Sequence, residues 1–297
     1  MEDKPVLQIK GLTKHYGKLT AVSHLNLTVE KGMVYGLLGP NGSGKTTTLS
    51  SALDLIHPSS GEILWFGESG SSITRRQIGS LIEQPVFYPF LTLKDNLRII
   101  TRAKKVSDNC INRVLGITKL LDRKYSKFKH LSSGLKQRMA LAAVLVGDPE
   151  VLILDEPTKG LDPEGFSDLR EIISEQKKQG KTIILASHIL DEVEKVCTHV
   201  GILKEGKLIQ EGHVKNILSG KDVVIISGDD LEAISEKLTE CDIIENQERY
   251  KNEIRVILKK NHTSGDLNKY LLDHGLVLSK LEVQKNKLEA EFLELIK

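Results

Sequence analysis

The apolar and polar positions of this chain follow a period of two in some segments and a helical pattern in others. The segments with a period of two predict β-strands. Residues 6–9 and 25–29 alternate with a period of two, whereas residues 152–154 and 183–186 are continuously apolar, as is typical of buried parallel strands. Strands are predicted at residues 6–9, 25–29, 33–38, 62–66, 152–154 and 182–186. Helical patterns separate these segments, so the chain is predicted to have an α/β fold.

Strand signals disappear between about residues 90 and 146. Thr92 followed by Asp95 forms a helix-start pattern, which predicts a helix from Leu93 to Ala103. The longest uninterrupted apolar run, Met139 to Val146, lies in the same stretch. This middle part is predicted to be a helical subdomain inserted into the α/β domain.

The pattern starts again after Gly220 with a second set of elements. These are a strand at 222–228, a helix at 230–240, strands at 242–247 and 252–259, a helix at 264–274, a strand at 276–283 and a last helix. That last helix would place Leu288, Phe292, Leu295 and Ile296 on one face. The order βαββαβ predicts a small α+β ferredoxin-like domain.

Charge supports a division of the chain into a domain of residues 1–220 and an accessory domain of residues 221–297. The second part holds 12 Lys and Arg against 16 Asp and Glu, although the whole chain has a net charge of only +2. This balance gives no indication of a nucleic-acid surface. The longest apolar run is too short to cross a bilayer, and the first residues lack a signal-peptide pattern. We therefore expect a cytoplasmic protein.

A phosphate-binding loop is predicted between the apolar run 33–38 and a helix from Lys45 to Leu55. Its pattern G-x-x-x-x-G-K-[ST] is formed by Gly39, Pro40, Asn41, Gly42, Ser43, Gly44, Lys45 and Thr46. Backbone N–H groups at a helix start attract phosphate, Lys45 reaches the β- and γ-phosphates, and Thr46 offers its hydroxyl to Mg²⁺. Together with Thr47, these residues form the predicted ATP site. The alternative is a glycine-rich turn without a ligand.

Two carboxylates follow the buried strand at 152–154. Asp155 suits an outer-shell contact to Mg²⁺, and Glu156 suits the general base or the residue that orients the attacking water. The alternative is a strand end that turns into solvent. The loop at Lys45 favours the catalytic interpretation.

A third motif separates this chain from other phosphate-loop hydrolases. Residues Leu131 to Arg138 have the sequence Leu-Ser-Ser-Gly-Leu-Lys-Gln-Arg, whose small residues could form a second anion site at a helix start. A plain helix cap by Ser132 or Ser133 is the alternative. This stretch resembles the signature of ABC transporter ATPases. The resemblance implies that Ser132, Ser133 and Gly134 act in trans, on a nucleotide held by a second copy in an ATP-dependent homodimer.

Other elements resemble the family in the expected order, from about residue 4 to residue 220. The resemblance implies a P-loop ABC ATPase domain with a mixed sheet core, an antiparallel β part and a helical insertion. Tyr16 resembles the aromatic residue that stacks on adenine, and Gln84 the glutamine that contacts Mg²⁺ and faces the permease. Asp162, in Gly160-Leu161-Asp162, resembles the dimer-communication loop. His188 resembles the histidine that senses the γ-phosphate. The catalytic set implied by the resemblance is Lys45, Glu156 and His188, and the Mg²⁺ set is Thr46, Gln84 and Asp155.

The signature departs from its common form, which has glycine at the position of Ser133 and glutamine at that of Leu135. Such changes resemble those in the family members that export bacitracin, lantibiotics and other drugs. Residues 82–89 and 288–295 resemble the same group of exporters. The resemblance implies an ATPase that powers export of an antimicrobial peptide or drug through a separate integral-membrane permease. It would lie on the inner face of the cell membrane.

Two other functions stay open at this stage. An ABC-type ATPase could act on ribosomes or DNA, but such proteins usually carry two ATPase units or large insertions. Nucleic-acid binding is not expected, because the acidic C-terminal part offers only Tyr250, Tyr270 and Phe292 for stacking. An importer ATPase shares all of the chemistry and is disfavoured only by the subgroup features. For the C-terminal domain we expect a regulatory or interface role.

Overall fold

The computed structural model describes residues 4–83, 86–161, 163–217, 223–259 and 262–284. Its contacts divide the chain into two compact units, Met1–Val214 and Lys215–Lys297. No helix within these described ranges is long and apolar enough to span a bilayer. The two units are described in turn.

The first unit contains most of the strands and helices. Its strands are β1 Leu7–Tyr16, β2 Leu19–Val29, β3 Val34–Leu38, β4 Ser60–Trp65, β5 Glu68–Ser69, β6 Ile78–Leu81, β7 Val151–Asp155, β8 Thr182–Ser187, β9 His199–Lys204 and β10 Lys207–His213. Its helices are α1 Lys45–Ala52, α2 Ser72–Arg76, α3 Leu93–Lys104, α4 Cys110–Ile117, α5 Ser133–Val144, α6 Pro163–Lys178 and α7 Leu190–Val196. The short helix α8 Val214–Ile217 begins at the last residue of this unit. Short 3₁₀ turns lie at Leu121–Arg123 and Phe128–His130.

Two sheets form the body of this unit. Among the described residues, one sheet has the strand order β10-β9-β3-β8-β7-β6, in which all pairs are parallel except β9 with β10. Every residue of β3, β7 and β8 is buried, which explains their uninterrupted apolar sequences. The other sheet, in the order β2-β1-β4-β5, is antiparallel. The predicted mixed sheet and antiparallel β part are therefore confirmed.

Helices α3, α4 and α5 occupy the stretch predicted to be helical. Helix α3 begins as predicted, because the Thr92 hydroxyl accepts a hydrogen bond from the Asp95 N–H. Leu93, Leu97 and Met139 are completely buried where these helices pack. This helical insertion carries the signature residues at the start of α5.

The second unit consists of β11 Val223–Gly228, α9 Leu231–Thr239, β12 Ile244–Tyr250, β13 Glu253–Leu258, α10 Ser264–Asp273 and β14 Leu278–Gln284. Its sheet has the order β12-β13-β11-β14 and is antiparallel throughout the described strands. Side chains of both helices pack on the sheet in a core that includes Ile226, Ile234 and Leu267. This is the predicted ferredoxin-like order. The predicted helix with Leu288, Phe292, Leu295 and Ile296 lies outside the described residues.

Candidate functional site

The predicted phosphate-binding loop connects the carboxyl end of β3 to the first residue of α1. Gly44, the residue before the helix, has φ = 103°, and a Cβ atom there would approach the Ala21 carbonyl oxygen to 2.5 Å. Gly42 also has a positive φ, of 81°. Only glycine adopts these conformations readily, so the loop can curl tightly with its N–H groups available.

The β9–β10 hairpin packs against this loop. The Gly206 N–H donates to the Ser43 carbonyl over 3.0 Å, and the Ser23 N–H donates to the Gly206 carbonyl over 2.8 Å. A Cβ on Gly39 would lie 2.5 Å from the Leu203 carbonyl oxygen. Sequence reasoning missed this hairpin, although Glu205-Gly206 between two alternating apolar runs is a hairpin signal.

Lys45 lies inside the loop, with only 5% of its surface exposed. Its Nζ donates to the carbonyl oxygens of Gly39 at 2.8 Å and Pro40 at 3.2 Å, and lies 3.5 Å from Glu156 Oε1. A buried ammonium group held by carbonyls and one carboxylate can exchange these partners for a phosphate oxygen. The contact of Lys45 with phosphate stays a prediction.

Thr46 and Asp155 meet across the site from neighbouring elements. The Thr46 hydroxyl donates to Asp155 Oδ2 over 2.7 Å, while Asp155 Oδ1 is buried without a hydrogen-bond partner among the described residues. Burial raises the pKa of the Asp155 carboxyl, and the nearby Glu156 carboxylate raises that pKa further, although the Thr46 hydrogen bond opposes the shift. An unpartnered buried carboxylate oxygen next to a hydroxyl suits a hydrated divalent cation.

Glu156 is held in an unusual backbone conformation at the end of β7. Its φ is 46°, in the left-handed region, and its N–H donates to the Ala186 carbonyl over 2.9 Å. Its carboxylate contacts two other side chains. Oε1 faces Lys45, and Oε2 lies 2.8 Å from His188 Nδ1. The imidazole of His188 is half-exposed. The structure thus brings together the three residues predicted to be catalytic.

An open cleft of about 480 Å³ lies in front of the loop. The lining residues are Tyr16, Leu19, Thr20, Ala21, Asn41, Gly42, Gly44, Lys45, Thr46, Thr47, Glu156 and Glu205. Tyr16 is 48% exposed, with Lys14 Nζ 5.1 Å from its ring centroid. The ring is therefore available for stacking. Glu205, at the hairpin turn, was not predicted from sequence.

The signature residues lie elsewhere on the same unit. Ser132 caps α5 by accepting a hydrogen bond from the Leu135 N–H, and Ser132 and Ser133 are both exposed. Ser133 lines a separate cleft of about 380 Å³ with Lys159, Gly160 and others. None of Ser132, Ser133 and Gly134 is among the described residues that line the Lys45 cleft. Gln84 and Asp162 lie outside the described residues.

Comparison with known proteins places these motifs in a family. Residues 22–159 match the ABC transporter family. The bacitracin transport ATP-binding protein BcrA of Bacillus licheniformis is 38% identical over 299 residues, covering 98% of this chain and 97% of that protein. The lantibiotic transport ATP-binding protein SrtF of Streptococcus pyogenes is 42% identical over 206 residues, covering 69% of this chain and 90% of that protein.

A solved structure shows the same relationship for the first unit. The cbiO1 protein of Clostridium perfringens, described as part of the ABC transporter complex cbiONQ, superposes with a TM-score of 0.67 at 31% identity. The superposition covers 73% of this chain and 92% of that one. Because the BcrA similarity extends over nearly the whole chain, the second unit is also shared with a relative. The chain belongs to the ABC transporter family and is one of its ATP-binding, ATP-hydrolysing subunits.

Proposed function

We propose that Mg²⁺ and ATP bind in the Lys45 cleft and that Glu156 activates the water that attacks the γ-phosphate. The observation that carries the proposal is the contact of the Glu156 carboxylate with both Lys45 and His188. Lys45 would leave the Gly39 and Pro40 carbonyls for the phosphate oxygens. His188 would hold the second carboxylate oxygen and so direct the first one towards the water.

The cation would be held by the Thr46 hydroxyl and, through its water shell, by Asp155. Bound there, Mg²⁺ would neutralise charge that develops on the β- and γ-phosphate oxygens. Support comes from the buried Asp155 Oδ1 without a partner in the described part of the chain. Gln84, outside the described residues, is the further proposed contact. Tyr16 would stack on the adenine ring, since its exposed face lines the same cleft.

We further propose that the active site is completed by a second copy of the chain. Ser132, Ser133 and Gly134 stand at an exposed helix start, away from the cleft that holds Lys45. Such a helix start can bind phosphate oxygens through its N–H groups. Two copies arranged head to tail would bring each α5 to the other copy's nucleotide, with Asp162 at the contact between them.

The proposed physiological role is export of an antimicrobial peptide or drug through a separate membrane permease. The names of the relatives from Bacillus licheniformis and Streptococcus pyogenes support this role. The chain would then be a peripheral subunit on the inner face of the membrane. Cells that lose the chain should become more sensitive to bacitracin or to a lantibiotic, and restoring it should reverse the change. Unchanged sensitivity to every peptide antibiotic tested would contradict the export role.

The Glu156→Gln variant tests the chemistry. It keeps the shape of the side chain but removes the base, so hydrolysis should fall by about 10²–10⁴-fold while ATP binding persists. Because ATP then stays in place, the variant should change from a monomer to a dimer when ATP is added. Rising salt should weaken that dimer, since phosphate contacts are charge-assisted.

Light scattering after size-exclusion chromatography measures the dimer, and phosphate release measures hydrolysis. Glu175→Gln, at an exposed position of α6, is the matched control and should hydrolyse ATP normally. Full hydrolysis by Glu156→Gln would exclude its role as base. A monomer at saturating ATP would exclude the two-chain site.

A further inference from the structure

Two neighbouring side chains of helix α5 contact the loop after β7 and helix α6, respectively. Gln137 Nε2 donates a hydrogen bond of 2.8 Å to the carbonyl oxygen of Pro157, the residue that follows Glu156. The Arg138 guanidinium forms an ion pair with Asp168 of α6, beyond the end of that loop. The signature helix is therefore attached both to the residue after Glu156 and to α6.

The loop itself leaves Glu156 little freedom. Besides the Glu156 N–H bond to Ala186, the Glu156 carbonyl accepts from the Lys159 N–H at 3.1 Å. The Leu161 N–H donates to the Thr158 carbonyl over 3.1 Å. The Pro157 carbonyl lies one residue from Glu156, and the proline ring fixes the φ angle between them. The bond from Gln137 is therefore placed to limit movement of the backbone next to Glu156.

The same helix face carries the signature. Positions three and four residues apart lie side by side on a helix, so Gln137 lies directly beyond Gly134 and Ser133. Gln137, Ser133, Lys159 and Gly160 line one cleft. The following turns of α5 are anchored by buried residues, including Met139 and Ala140. A shift of the helix start would thus be transmitted to Pro157 by a rigid element.

We propose that Gln137 is a positioning residue for Glu156, which couples the signature of each chain to the catalytic carboxylate of the same chain. This inference rests on the proposed function, because the signature is taken to bind the partner's nucleotide. Nucleotide bound at the start of α5 in one site would set the Glu156 geometry in the other site. The two hydrolysis events would then depend on each other through a single side-chain amide.

Gln137→Met tests the proposal, since methionine has a similar length but cannot donate to the Pro157 carbonyl. Misplacement of a reacting group can reduce a rate by up to about 10²-fold, and we expect kcat to fall about 10- to 100-fold. The ATP dissociation constant should change less than about twofold, because the Lys45 loop is untouched. Gln179→Met, at the exposed position that follows α6, is the matched control and should keep its kcat.

A double-mutant cycle separates positioning from a general structural role. In the Glu156→Gln background Gln137→Met should lower the residual hydrolysis no further, because the group that it positions is already absent. The ATP-dependent dimer of the double variant should still form. Wild-type kcat in Gln137→Met, additive losses in the cycle, or loss of the dimer on adding Gln137→Met would each overturn the proposal. Failure of Glu156→Gln alone to dimerise would instead contradict the two-chain site.

Discussion

Two helix starts in the first unit are built from similar small residues but have opposite surroundings. At α1, Lys45 and Asp155 are almost completely buried and face Glu156 within the same chain. At α5, Ser132 and Ser133 are exposed, and the Ser132 hydroxyl caps the helix. The same N-terminal dipole therefore operates in a closed, charged environment at α1 and at an open surface at α5.

The surroundings of a helix start determine what it can bind. The α1 start is surrounded by a cation, a hydroxyl and carboxylates, so we propose that it binds a metal–triphosphate complex by itself. The α5 start offers N–H groups and hydroxyls at an exposed surface, where water competes with a phosphate for them. These groups by themselves therefore bind a phosphate only weakly. We therefore expect α1 to determine nucleotide affinity and α5 to determine closure of the dimer. The predictions below test that division.

Removal of the buried cation at α1 should have the largest effect. Lys45→Ala deletes the ammonium group next to Glu156, so hydrolysis should fall by about 10³-fold or more, as expected when charge stabilisation of a transferring phosphoryl group is lost. Phosphate release at saturating ATP measures the loss. Lys31→Ala, at an exposed position before β3, is the control and should be fully active. Retained hydrolysis in Lys45→Ala would show that α1 is not the catalytic helix start.

A bulky residue at the α5 start should prevent closure but spare binding. Ser132→Phe in the Glu156→Gln background should abolish the ATP-dependent dimer, and in the otherwise unchanged chain it should lower hydrolysis by about 10²-fold. The ATP affinity of the monomer should stay the same, as measured by calorimetry. Ser174→Phe, on the exposed face of α6, controls for the bulk of the new ring. A dimer that persists in Ser132→Phe would assign α5 a purely structural role.

The smallest effect is expected at the rim of the α1 cleft. Tyr16→Ala should weaken binding by about 1–3 kcal/mol, the range for aromatic stacking on a base, and equally for ATP and GTP. Tyr250 is a good control, because it is 47% exposed and, like Tyr16, has a lysine near its ring. Calorimetric titration should show no change for Tyr250→Ala. Unaltered affinity in Tyr16→Ala would mean that this ring does not stack on the nucleotide.

Much of the fold could be predicted from the sequence because local patterns dictate it. Residues 152–154 and 183–186 are apolar without interruption because β7 and β8 are covered on both faces, and this burial is visible in the sequence. The capped start of α3 and the order of elements after Gly220 are equally local. The Lys45 loop has a fixed motif, since a strand, glycines and a lysine must follow each other in the chain.

The tertiary structure decided everything that joins distant segments. The β9–β10 hairpin beneath the loop was missed, and the predicted helix from Lys45 to Leu55 ends at Ala52, where Asp54 turns the chain with φ = 59°. The bonds of Gln137 to Pro157 and of His188 to Glu156 join residues 20 and 32 positions apart. Periodicity and propensity report on neighbours within a few residues, whereas such contacts depend on how sheets and helices pack. The motifs of the chain therefore predict which groups carry the chemistry, whereas the packing of sheets and helices establishes which of them touch.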